Sequence, residues 1–160
     1  MKFLRAKCKI CIFVSFAWVV LLTGCEDNYV SSIPDYYPVF IDIDLRLAPY
    51  NTTLKNNNNS YELFEQPRMG KELTERVGYG GVIVYADFEG KFCAFDLACP
   101  HEALPSVKVK PNGLGQLVCD SCGSIYDISF GIGHPTAGPS KEGLKRYKTM
   151  LQGDLLRVSN

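Results

Sequence analysis

Between Val39 and Arg46 the chain alternates, with Val39, Ile41, Ile43 and Leu45 falling between Phe40, Asp42, Asp44 and Arg46. A period of two is that of a strand with one buried face. Gly81 to Ala86 and Lys91 to Asp96 are shorter, more apolar runs around a loop that contains Gly90, and they read as a hairpin. Val107 to Val109 and Gln116 to Val118 flank the turn signal Pro111-Asn112-Gly113. Further strand-like runs follow at Ser124 to Ile128, Leu144 to Met150 and Leu155 to Val158, the last two around Gln152-Gly153-Asp154. Short strands with turn signals roughly every eight to twelve residues, no internal repeat and no 3.6-residue period beyond the N-terminus predict an all-β fold. The expected form is an antiparallel β-sandwich or small barrel. Asn51 to Ser60, with asparagine at each position from Asn56 to Asn59, reads as an exposed loop, and Pro67 to Arg76 has no firm pattern. Gly78-Tyr79-Gly80-Gly81 reads as a turn, because no Lys-Ser or Lys-Thr follows to make a phosphate loop.

The N-terminus is of another kind. Lys2, Arg5, Lys7 and Lys9 precede an apolar run from Ile10 to Leu22, closed by Leu22-Thr23-Gly24-Cys25. Thirteen helical residues reach about 20 Å, short of the roughly 30 Å hydrocarbon core, so the run reads as a secretory signal and not a span. It resembles a bacterial lipoprotein signal peptide, which implies lipidation at Cys25 as the new first residue. The expected organisation is a signal over 1–24, a polar, proline-punctuated tether over 25–37 and a single β domain over 38–160. The expected location is the cell envelope, exported and attached to membrane by the lipid. Cys8 and Cys11 leave with the signal. Across the whole chain 17 Lys and Arg balance 17 Asp and Glu. Since the signal carries four of the bases and no acid, the remainder is acidic, which argues against nucleic acid as a partner.

The chemistry concentrates between Cys99 and Asp127. Cys99-Pro100-His101 and Cys119-Asp120-Ser121-Cys122 lie at the two ends of an expected hairpin. Short spacings within each pair let one turn aim both side chains at a point, and thiolate with imidazole suits zinc or iron-sulfur centres. The same cysteines could instead pair as disulfides, with Cys93 as a fourth thiol. Cys93 lies inside a strand between aromatic residues and reads as a small core residue.

The stretch resembles the Rieske iron-sulfur domain, whose pattern is Cys-x-His followed some 15 residues later by Cys-x-x-His-Gly-Ser, an aromatic residue and Asp. Cys99, His101, Cys119 and Gly123-Ser124-Ile125-Tyr126-Asp127 match it, while Cys122 stands where the family has its second histidine. Gly138-Pro139 resembles the family's cluster-covering proline loop. The similarity spans about Val82 to Val158 and implies two metal-binding loops at one end of the antiparallel domain. By position it implies Cys99 and Cys119 on one iron of a [2Fe-2S] cluster, His101 and Cys122 on the other, and hydrogen bonds from Ser124 and Tyr126 to cluster sulfurs. A third thiolate makes the oxidised centre anionic, so the implied potential lies below the two-histidine Rieske range and above that of all-cysteine ferredoxins; the two hydrogen bonds pull it upward.

Two functions follow from this reading. The first is a lipid-anchored electron-transfer protein with a separate redox protein as partner, a carrier or accessory redox subunit in place of a stand-alone enzyme. With His101 taken as a ligand, only His134 remains, one short of the two histidines that a mononuclear oxygenase iron needs. The second is a non-redox structural or binding lipoprotein on the same scaffold, with zinc or disulfides at the site. Export favours the second, because iron-sulfur clusters are assembled in the cytoplasm and this signal has no Arg-Arg pair.

Overall fold

The computed structural model describes residues 31–160; the expected signal, Cys25 and the first part of the expected tether lie outside the described residues. In chain order the strands are β1 (Val39–Asp44), β2 (Ser60–Phe64), β3 (Arg76–Val77), β4 (Val82–Ala86) and β5 (Phe92–Asp96). They continue with β6 (Val109–Pro111), β7 (Gln116–Cys119), β8 (Ile125–Asp127), β9 (His134–Ala137), β10 (Arg146–Gln152) and β11 (Leu155–Ser159). Two antiparallel sheets result, one ordered β2-β4-β5-β10-β11-β1-β3 and the other β6-β7-β8-β9. The all-β, antiparallel expectation is met.

Alternation sets the first core. Val39, Ile41 and Ile43 of β1 point inward with Leu156 and Val158 of β11, Val82 and Val84 of β4 and Ala94 of β5. Their strand mates Ile83, Tyr85, Cys93 and Phe95 point the other way, into a second core with Leu117 and Tyr126 of the smaller sheet and Ile128 just after β8. Every residue of β4 is therefore buried, and so are the last four of β5. A strand covered on both faces carries no alternation, which is why β4 and the run Phe92 to Phe95 of β5 are continuously apolar. Cys99 and Cys119 belong to this second core, so the two candidate ligand loops are rooted in packed hydrophobic structure.

Three segments differ from the sequence expectation. Asn51–Lys55 forms a single helical turn that buries Leu54, and the asparagine run leads into β2, an edge strand whose outward residues are polar or exposed. Between Pro67 and Arg76, buried Glu75 accepts hydrogen bonds from the Arg68 guanidinium, which lies over the Tyr50 and Phe64 rings. Finally, Ser31 to Tyr37, expected as tether, is fastened to the body. Ile33 is fully buried, Ser32 donates to the Glu142 carboxylate through its amide at 2.8 Å and its hydroxyl at 2.5 Å, and Lys145 pairs with Asp35. Among the described residues no helix is long and apolar enough to cross a membrane.

Candidate metal centre

Two turns carry the candidate ligands. In the first, the Cys99 amide donates to the Val107 carbonyl at 2.9 Å and the Ala103 amide to the Cys99 carbonyl at 2.8 Å, with Ala103 held at φ +51°. In the second, the Gly123 amide returns to the Cys119 carbonyl at 2.8 Å and the Cys119 amide to the Ser124 carbonyl at 2.9 Å. Gly123 has φ +72°, a left-handed conformation in which a side chain costs about 1–2 kcal/mol. The glycine lets the chain reverse between Cys122 and Ser124.

These turns bring the sulfurs of Cys99, Cys119 and Cys122 within 4.8 Å of one another. Cys99 and Cys122 stand 3.7 Å apart, and all three are free thiols, as is Cys93. Cys99 and Cys119 are fully buried and Cys122 is partly so. His101 lies at the exposed rim of the first loop, and its imidazole is not part of the three-sulfur group. Cys93 is also apart from that group; its sulfur lies 3.5 Å from the Tyr85 carbonyl inside the core, as its sequence setting implies.

The residues around the sulfurs are hydrogen-bonding groups. Tyr126, fully buried, places its hydroxyl 3.4 Å from the Cys99 sulfur. Ser124 Oγ is 3.1 Å from the Cys122 sulfur and also accepts from the Ser140 amide at 3.1 Å. That leaves the serine hydroxyl hydrogen available to a thiolate. Burial pushes the Cys122 thiol up, but hydrogen bonds from the Ser124 side chain and backbone, and from the neighbouring cysteines, bring it below its ordinary value. At Cys119 burial, helped by the contacts with the Cys99 and Cys122 side chains, outweighs the backbone hydrogen bonds from Cys122 and Ser121 and raises the thiol to about 11. Burial, then the contact with Cys99, holds the Tyr126 hydroxyl well above the usual phenol value, so it stays a donor.

Gly138 shows how the covering loop is seated. A Cβ there would fall 2.5 Å from the Ser124 Cα and 2.8 Å from the Gly123 carbonyl oxygen, and its φ is +89°. Only glycine lets this loop lie directly on the second ligand turn.

Three soft sulfur donors converging at a largely buried point, with hydroxyls beside two of them, suit an iron-sulfur centre; zinc would accept the same donors. Sequence reasoning missed Asp96 and its partners, since nothing local marks a carboxylate whose donors come from Tyr79, Gly80 and Tyr147.

Comparison with known proteins bears on the choice. The family model for the Rieske [2Fe-2S] domain matches residues 54–148. No curated protein matches the chain. Among solved structures, one described as a complex of reduced oxygenase and oxidized ferredoxin in carbazole 1,9a-dioxygenase is similar at 13% identity and a TM-score of 0.46. The match covers 76% of this chain and 93% of that one. Another, described as a complex of ferredoxin with a substituted oxygenase of carbazole 1,9a-dioxygenase, gives 16% identity and a TM-score of 0.44, covering 75% of this chain and 28% of that chain. The family implies a [2Fe-2S] cluster and a role in electron transfer, and the convergent thiols are compatible with both. With more than half its length matched by the family model and its thiols gathered at the matching loops, the chain belongs to the Rieske [2Fe-2S] domain family.

Proposed function

We propose that this is an exported, lipid-anchored electron carrier whose centre is held by Cys99, His101, Cys119 and Cys122. The observation that carries the reading is the convergence of three thiols in a domain of this family. A [2Fe-2S] cluster held there would accept and release a single electron. The chain's own residues set the conditions. Burial of Cys99 and Cys119 keeps water from two donors, the Tyr126 and Ser124 hydroxyls would stabilise charge on sulfur, and the Gly138 loop covers the second turn. His101 and the half-exposed Leu104 leave the first loop open to a redox protein.

Anchoring rests on the sequence Leu22-Thr23-Gly24-Cys25. Mass spectrometry of the membrane fraction should find a chain that starts at a lipid-modified Cys25; an intact Met1 start or an unmodified Cys25 would remove this part.

One observation favours zinc as a second reading. Two sulfurs on one tetrahedral ion with bonds near 2.3 Å stand about 3.8 Å apart, close to the 3.7 Å between Cys99 and Cys122. With His101 the three thiols would make a closed structural set, and the protein would be a non-redox module. Zinc protein is colourless, so an absorption spectrum separates the two readings.

A further inference from the structure

We infer that Asp96 is a positioning residue for the centre: its buried carboxylate fixes the entry to the first ligand loop and sets part of the field in which the cluster takes its electron. The inference rests on the electron-transfer reading of the centre.

Asp96 is fully buried, and among the described residues no cation pairs with it. Four donors converge on its two oxygens instead. The amides of Ala98 at 2.7 Å and Gly80 at 3.0 Å reach Oδ1, while the Tyr79 amide at 3.1 Å and the Tyr147 hydroxyl at 2.6 Å reach Oδ2. Four donors are the set that an ionised carboxylate takes. The glycines are shaped to this purpose. A Cβ on Gly80 would fall 2.5 Å from the Ala98 amide nitrogen and 2.8 Å from Asp96 Oδ1, and one on Gly78 2.6 Å from the Tyr147 hydroxyl. The run Gly78-Tyr79-Gly80 is therefore a cradle for one carboxylate.

Two arms lead from that carboxylate to the ligands. Ala98, held by Asp96, immediately precedes Cys99. Tyr79, also held by Asp96, reaches across the first loop and donates its hydroxyl to the Ala103 carbonyl at 3.0 Å. Ala103 in turn closes the loop onto the Cys99 carbonyl. Both ends of the first ligand loop thus hang from one buried anion. Burying a charge is costly, and an apolar residue of similar size is often no less stable in such a place, so stability alone does not account for it. An anion beside the root of Cys99 opposes the arrival of an electron and so lowers the reduction potential.

The test compares Asp96→Asn and Tyr147→Phe in the cluster-loaded full chain. Asp96→Asn removes the charge and should raise the midpoint potential. Tyr147→Phe leaves the charge with one donor fewer and should lower it. Loosening of the loop alone would not give shifts of opposite sign, so equal potentials, or shifts in one direction, overturn the inference. Amide hydrogen exchange supplies a readout independent of the cluster. In Asp96→Asn, or in Tyr79→Phe if that variant does not fold, exchange over 98–104 should quicken at least tenfold while β11 is unchanged; unchanged exchange over 98–104 overturns the positioning role. Wild-type protein that binds no iron would instead defeat the electron-transfer reading, and the exchange result would still decide what Asp96 does.

Discussion

The hydroxyl of Tyr126 lies 3.4 Å from the sulfur of Cys99, with both residues fully buried. A phenol in that place donates to sulfur whenever the sulfur carries charge, and burial keeps its proton on over the whole physiological range. Tyr126→Phe keeps the ring in the second core and removes only the donor. A hydrogen bond worth roughly 1 kcal/mol corresponds to roughly 40 mV for a one-electron couple. The midpoint potential should fall by that order in Tyr126→Phe, measured by protein-film voltammetry, with the thermal midpoint little changed.

Gly138→Ala should destabilise the protein and loosen the centre, because the added Cβ meets backbone on the second ligand turn. Gly153→Ala is the matched control: its φ of +59° imposes a similar backbone strain, but nothing lies within 4 Å of its Cβ. Denaturant titration should show a loss of about 1–2 kcal/mol for Gly153→Ala and clearly more for Gly138→Ala. Equal losses would mean that the loop yields and does not press on Ser124.

Much of this was legible in the sequence, and the exceptions have physical reasons. β4 and β5 stood out because both faces are buried, and β1 because only one is. β2 was hidden, since its alternate residues Ser60 and Glu62 are not core residues and Tyr61 and Leu63 remain 38% and 40% exposed; pairing with β4 makes it a strand, not its own composition. β9 lies in a stretch broken by Gly131, Gly133, Pro135, Gly138 and Pro139, and is defined by its pairing with β8. Cys99, Cys119 and Cys122 could be found by spacing because each pair shares one turn. Asp96 could not, because its donors are as far away in sequence as Tyr147. Ser31 to Tyr37 looked like a tether for the same reason: the groups that hold it, Glu142 and Lys145, are over a hundred residues away.

Stability should fall on the alkaline side. Burial raises the Cys93 thiol from 9.0 to about 12 and the Tyr85 hydroxyl from 10.0 to about 12. Above pH 9 the unfolded chain loses these protons while the folded one keeps them, so the unfolded state binds fewer protons and ΔG of unfolding decreases as pH rises. Urea midpoints measured from about pH 8 to about pH 11 should decline, and less steeply in Cys93→Ala. Because Cys93 lies apart from the three converging sulfurs, the same variant should keep its full metal content.

The pH dependence of the potential tests the departure at Cys122. In the proposed ligand set His101 is the one imidazole, so at most one proton would couple to reduction and the slope should not exceed about 59 mV per pH unit. Cys122→His restores the family pattern, so it should raise the potential and allow up to twice that slope. An unchanged slope in a loaded Cys122→His protein would place Cys122 outside the ligand set.

The most direct measurement is the iron, acid-labile sulfide and zinc content of protein isolated without air, read beside its absorption and low-temperature EPR spectra. The account predicts a coloured protein with two irons and two sulfides per chain, a reduced-state EPR signal, and loss of all three in Cys119→Ser. Colourless protein with one zinc per chain, or with Cys119 and Cys122 joined as a disulfide, would contradict it.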